Sequence, residues 1–413
     1  MKNIFLRTVL LLCILLSGPL LQEAWAASRE KPVVLGIERV AEYADVFAGK
    51  KVGLITNQTG TDSRLKSSVD LLREQIILEA IFVPEHGLFG AAAAGEQIAD
   101  EEYNGIRVHS LYGDNKKPTA AMLRNLDLIA FDIQDVGVRH YTYVSTMAYA
   151  MEACAENGKT FVVFDRPNPL GGRLGGPTLK KGFESFIGLY HVPLLHGMTV
   201  GEYARFINAE YGIGTELVVI PVLNWTRDKS FGETGLPWVP TSPNIPTEAS
   251  AFCYAATGIV GNMAVSVGIG TTKPFEFVGA PWLEKLKLAA GLNALSLPGV
   301  VFRPAAFIPK FGMYKDELCQ GVQLHITDKA AFRPALTGAL LVRMIMEEYP
   351  QRELFQKRGE TGYKIDISVG EASLRHDSIP LEQILRRWQS ENELFAGIIE
   401  PYLLYPWGRS KNK

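Results

Sequence analysis

The stretch IFVPEHG, residues 81–87, runs an apolar segment straight into a carboxylate and an imidazole, Glu85 and His86. Pro84 and Gly87 bracket the pair, and both residue types end strands and turn chains. The same arrangement recurs. TNQTG (56–60) brings Asn57, DIQDVG (132–137) brings Asp132, Gln134 and Asp135, and DRPNP (165–169) brings Asp165, Arg166 and Asn168. VRHYTY (138–143) adds Arg139 and Tyr141, and LLHGMT (194–199) adds His196. Carboxylates, planar amides and guanidiniums bind hydroxyls and an acetamido group, and tyrosines pack on ring faces, so the set suits a sugar. Cleaving a glycosidic bond needs an acid that protonates the leaving oxygen. Glu85, at a strand end beside a titratable histidine, is the candidate.

The elements that must position these residues follow from periodicity. VGLIT (52–56), LEAIFV (78–83), LDLIAFDI (126–133), TFVVFD (160–165) and ELVVIPV (216–222) are apolar throughout and of strand length, with IRVHSLYG (106–113) a weaker strand. Helical spacing lies between them, at 63–75, 143–158 and 199–212, the last opening with a Thr199/Glu202 capping box. Apolar strands alternating with helices predict an α/β fold with a mostly parallel, Rossmann-like sheet covered on both faces. In such a sheet the strand ends share one edge, and ligands bind there. The prolines of GLPWVPTSPNIP (235–246) break this rhythm. They predict a division into a catalytic domain over 28–235 and a smaller α+β domain over 236–413 that completes the cleft. That second part shows strands near 300–327 and helices near 329–348 and 380–397. Bland roles are also open: Asp165 as a turn cap with Asn168, Asp132 as a buried paired acid, and His196, Thr199 and Glu202 as parts of the helix start.

Several classes are excluded. No Gly-x-Gly-x-x-Gly follows the first strand, no Walker loop is present, and no Gly-x-Ser-x-Gly elbow appears. GGRLGG (171–176) reads as a flexible loop. A net charge of −2 gives no reason to expect nucleic acid. Residues 1–27 have a basic start, a short apolar run and small residues around Trp25, the pattern of a cleaved signal peptide. This predicts a secreted or periplasmic protein with no stable membrane insertion. Cys154, Cys253 and Cys319 are too few and too odd in number for a disulfide framework, and buried thiols are expected. Ligand spacing for a metal is absent, and no cofactor is expected.

GLITNQTG, VPEHGLFG, LIAFDIQDVGVRHYTYVSTM, VVFDRPNPLGG, LLHGMTVGEYA and TSPNIPT together resemble the exo-lytic β-N-acetylmuramidases of bacterial cell-wall turnover, long known only as a domain of unknown function. The resemblance runs from about residue 33 to the C-terminus. It implies a Rossmann-like domain and a smaller second domain with the active site between them. It also implies release of N-acetylmuramic acid from the non-reducing ends of peptidoglycan fragments. On the matching motifs Glu85 is the implied acid, and Asp132 and Asp135 are the neighbouring carboxylates. Gly261 and Ile269 depart from the family pattern, where Glu and Arg are common.

The second catalytic group is open between Asp132 or Asp135, as base or nucleophile, and the substrate's own acetamido oxygen. Arg139 or Arg166 is the expected partner of the lactyl carboxylate that distinguishes muramic acid from glucosamine. The rival reading is a periplasmic sugar- or muropeptide-binding protein without catalysis.

Overall fold

The computed structural model describes residues 31–360 and 362–408. The predicted signal peptide lies outside them. Seven strands form the main sheet: β1 (Lys51–Thr56), β2 (Ile77–Val83), β3 (Glu101–Tyr103), β4 (Ile106–Ser110), β5 (Leu128–Asp132), β6 (Thr160–Phe164) and β9 (Leu217–Ile220). Their order is β3-β4-β2-β1-β5-β6-β9. Every pairing is parallel except β3 with β4. Without the edge strand β3, this is the doubly wound order that runs outward from β1 in both directions. The direction of winding reverses between β1 and β5, where Thr56 pairs with Asp132.

The strands are apolar on both faces because both faces are covered. Ile55, Phe131, Phe161 and Val163 meet helices α1 (Tyr143–Glu156) and α2 (Val200–Glu210). The alternate residues Leu54, Ala130, Val162 and Phe164 meet Ile37, Val40, Val69 and Leu72 on the opposite side. This is the period of two that a strand imposes. The predicted capping box is present at α2, where Thr199 accepts from Glu202 N and Glu202 reaches back to Thr199 N.

GGRLGG is not a loop throughout. Its second half begins β7 (Leu174–Thr178), which pairs with β8 (Pro193–His196). Glycine weakens a strand, so the sequence hides it. This ribbon packs against helices of the second half. That half contains α3 (Glu248–Thr257), β10 (Phe277–Ala280), α4 (Lys285–Ala294), β11 (Val300–Phe307), β12 (Cys319–Ile326), α5 (Pro334–Glu348) and α6 (Leu381–Ile399). Its larger sheet has three antiparallel strands in the order β10-β12-β11, and Lys357–Arg358 pairs with Gly362–Tyr363 in a small ribbon.

The proline segment lies on the first half. Gln58 Nε2 donates to Pro240 O at 2.8 Å, and the Tyr143 hydroxyl donates to Thr241 O at 2.5 Å. The second half therefore starts at α3, downstream of the division read from the prolines. One apolar core runs through both halves, from Phe82 and Phe131 to Phe302 and Leu324. The chain also returns: Leu404 N donates to Glu202 at 2.6 Å, Arg227 N donates to Pro406 O at 3.0 Å, and the Tyr405 hydroxyl donates to Asp165 at 2.5 Å. Cys154, Cys253 and Cys319 are buried and unpaired.

Candidate active site

β2 delivers Glu85 to the sheet edge. After Pro84 the chain turns sharply, with Gly87 N bonded to Pro84 O at 3.1 Å and with φ of +75° at His86 and +76° at Gly87. Glycine takes this conformation freely; histidine takes it at a cost, which its contacts offset. His86 holds the following loop by pairing Nδ1 with Ala92 O at 2.8 Å, while Ala92 N returns to His86 O at 3.3 Å.

Glu85 is half-buried, and both oxygens are held. Oε2 accepts from the Thr142 hydroxyl at 2.9 Å, and Oε1 accepts from Gly95 N at 3.1 Å. Thr142 is the N-cap residue of α1, yet its side chain makes no capping bond; the hydroxyl serves Glu85 instead. Tyr112, just beyond β4, lies within electrostatic reach of the Glu85 carboxylate; its phenol is pushed up to about 12, first by burial and then by that charge. The second half closes the site with Tyr254 of α3. Tyr254 packs edge-on to Tyr141 at 5.7 Å and bonds His140 Nδ1 at 2.5 Å. Burial, then the neighbouring Arg139 charge, pulls His140 down to about 3, so it is neutral.

Asp135 is buried, with Oδ1 on Gly137 N at 2.7 Å and Oδ2 without a protein partner. Burial pushes its carboxyl up to about 7. Tyr143 and Tyr254 lie within electrostatic reach of both Glu85 and Asp135.

Most of the remaining residues read from the sequence converge beneath this site and bond one another. Arg166 grips Asp132 with two bonds of 2.6 and 2.8 Å and gives a third, of 2.8 Å, to Thr61 O. Both groups are buried, so Asp132 is the paired structural acid rather than an open carboxylate. Asn57 Oδ1 accepts from Thr59 N and its hydroxyl at 2.9 and 2.6 Å. Gln134 Nε2 spans Asp135 O and Pro167 O, each at 2.8 Å. Asn168 joins Met198 O and Leu170 N, each at 2.9 Å. Asp165 accepts from Thr199, Gly201 N, Arg166 N and Tyr405, so it anchors the start of α2 rather than a turn with Asn168. Burial pushes it up to about 6.

Arg139 is wholly buried and spends its guanidinium on four carbonyls, those of Pro177, Val192, Ser368 and Val369. Arg139 is turned into these buried carbonyls, whereas Arg166 spends Nε and Nη2 and keeps Nη1 without a protein partner. The Tyr141 hydroxyl donates to Thr241 Oγ1 at 2.8 Å. His196 is buried against Tyr203, accepts from Met198 N at 3.2 Å, and is pulled down to about 3 by burial. Gly261 sits in a turn just after α3, and Ile269 packs on the core. Among the described residues no cluster of three metal-ligating side chains occurs and no helix is long and apolar enough to cross a membrane.

Sequence reading missed Tyr112, Thr142, Gly95 and Tyr254. Tyr112 follows a recognised strand and could have been found by extending the strand-end rule to β4. Gly95 and Tyr254 carry no local signal.

Two family models, described as the N- and C-terminal parts of the exo-beta-N-acetylmuramidase NamZ, match residues 52–249 and 252–405. The chain belongs to this family. It is 44% identical over 387 residues to the peptidoglycan beta-N-acetylmuramidase NamZ of Bacillus subtilis strain 168, covering 92% of each chain. Two crystal structures of DUF1343 family proteins from Bacteroides fragilis share the fold. One has a TM-score of 0.84 at 38% identity, covering 91% of this chain and 100% of that one. The other has a TM-score of 0.73 at 28% identity, covering 92% and 100%. The NamZ models divide the chain at 249–252, close to the start of α3.

Proposed function

We propose that this protein is an exo-acting β-N-acetylmuramidase that releases N-acetylmuramic acid from the non-reducing ends of peptidoglycan fragments. The observation that carries the reading is Glu85: a half-buried carboxyl at the sheet edge, aimed by Thr142 and Gly95, with Tyr254 of the other half within electrostatic reach. Membership of the NamZ family along nearly the whole chain supports the substrate class.

Glu85 is the proton donor to the glycosidic oxygen. Its two fixed bonds set the direction of the carboxyl, and orientation is where much of a positioned acid's effect arises. Of the acids after β5, Asp135 keeps an unengaged oxygen and is the second carboxyl of the site. The basic and apolar run over residues 1–27 supports action outside the cytoplasm, where the cell wall lies.

The test is incubation of the chain lacking residues 1–27 with MurNAc-β-1,4-GlcNAc, read by mass spectrometry, beside Glu85→Gln. Free MurNAc from the wild type alone supports the reading. Release by both proteins removes Glu85 from the chemistry. Binding without release by the wild type converts the protein to a muropeptide-binding protein.

A further inference from the structure

Both oxygens of Glu85 are engaged, but their partners differ in kind. Oε1 accepts from the Gly95 backbone amide at 3.1 Å, a group that can only donate. Oε2 accepts from the Thr142 hydroxyl at 2.9 Å, a group that can turn and accept instead. A proton on Oε1 would face the amide hydrogen and forfeit that bond. A proton on Oε2 keeps the amide bond and finds an acceptor oxygen already in place.

Thr142 is free for this duty. The start of α1 is held by its carbonyl, which accepts from Ser145 N at 3.1 Å and Thr146 N at 3.0 Å, and its hydroxyl makes no capping bond. Thr142 and Glu85 are both half-buried, so the bond is partly shielded from water. The phenols of Tyr112 beyond β4, Tyr143 of α1 and Tyr254 of α3 lie within electrostatic reach of the carboxyl; burial pushes each of them up, so they stay neutral while a carboxyl titrates. His86 and Glu96, on the loop around Glu85, bond Ala92 O and Ala93 N. Asp135 acts on Tyr143 and Tyr254 from beyond β5.

We infer that the proton of the acid resides on Oε2, and that Thr142 is the positioning residue that follows it, accepting from the neutral carboxyl and donating to the ionised one. This rests on the muramidase reading above and deepens it. When the bond between C1 of the muramic acid and the glycosidic oxygen breaks, its electron pair stays on that oxygen and the Oε2 proton joins it. Glu85 is left ionised, and the hydroxyl turns back to donate to it. Charge on Oε2 thus grows against a donor that the neutral acid does not use, which favours the transition state over the ground state. Water supplies the hydroxyl at C1 and, over the cycle, the proton that restores Glu85.

The experiment compares the wild type with Thr142→Val and Thr142→Ser. Turnover of MurNAc-β-1,4-GlcNAc gives kcat and KM across pH. Carbon-13 NMR of protein labelled at the glutamate carboxyls gives the titration midpoint of Glu85, whose signal is the one absent from Glu85→Gln; Asp135 carries no label. Valine keeps the shape and removes the hydroxyl, so the ionised carboxyl loses a donor and holds its proton to higher pH. The expected result for Thr142→Val is a Glu85 midpoint about one pH unit higher and a kcat about tenfold lower, with KM within about twofold of the wild type. Serine recovers midpoint and kcat together. An unmoved midpoint in Thr142→Val overturns the proposal, as does an unchanged kcat or a loss that serine does not recover. A lower kcat with a lower Tm and an unmoved midpoint marks damage to α1 and overturns it too. A moved midpoint without turnover by the wild type keeps Thr142 as the partner of the proton and removes the muramidase reading. Turnover with an unmoved midpoint does the reverse.

Discussion

Replacing Asp132 with asparagine separates a structural acid from a catalytic one. The carboxylate is wholly buried, and its two oxygens take 2.6 and 2.8 Å bonds from a guanidinium that is itself 4% exposed. Asparagine keeps the shape and one acceptor but removes the charge, leaving Arg166 as a buried cation with only neutral acceptors, the amide oxygen and Thr61 O. Breaking a buried pair from one side costs about 3–5 kcal/mol. At roughly 1.3 °C per kcal/mol for two halves that share one core, Tm falls by about 4–6 °C. Differential scanning calorimetry of Asp132→Asn measures the fall. The double variant Asp132→Leu/Arg166→Met removes both charges, and it recovers most of the loss if the pair is structural. Activity of the single variant below its own Tm stays within about tenfold of the wild type, since no reacting group has gone. A variant that melts like the wild type but has lost activity by several orders of magnitude would refute this reasoning and return Asp132 to the chemistry.

Three further outcomes are expected. Asp135 has a folded-state pKa of about 7 against an ordinary value of 3.8, so between those values the folded protein binds the extra proton. Its contribution to stability therefore falls as pH rises from about 4 to 7; urea midpoints across that range show less decline in Asp135→Asn, and an unchanged slope contradicts the assignment. Gly258→Ala puts a methyl 2.6 Å from His140 Cε1 and 2.8 Å from Tyr254 O. It costs about 1–3 kcal/mol and disturbs the His140–Tyr254 bond, visible as a change in the near-ultraviolet tyrosine signal. Tyr405→Phe removes the hydroxyl shared by Asp165 and Val222 N, costs about 1–3 kcal/mol by urea denaturation, and raises hydrogen exchange at residues 403–408.

The sheet was legible in the sequence because burial on both faces writes each parallel strand as an unbroken apolar run; β1, β2, β5 and β6 fall within two residues of their predicted ends. The capping box at Thr199 was legible because its two partners are three residues apart. What escaped depends on partners distant in sequence. Asp132 and Arg166 were placed at the right edge, but whether such a side chain faces ligand or neighbour is decided by partners distant in sequence, here 34 positions apart. Arg139 was read as a ligand for the lactyl carboxylate for the same reason, since two of its acceptors lie at Ser368 and Val369. β7 escaped because its glycines erase the strand pattern.

The polypeptide crosses between the halves twice, once at the start of α3 and once through the returning tail at Leu404–Gly408, over an apolar core that both halves share. The two family segments are therefore units of inheritance rather than of folding. Severed near residue 250, neither piece keeps a covered surface: the first loses Tyr405 from Asp165, and the second bares the core side of α3. The shared core predicts that the two halves melt together in one calorimetric transition. Both attachments and the shared core fix the walls around Glu85, and the turn-rich chain from His86 to Gly95 is tied to that carboxylate through the Gly95 amide.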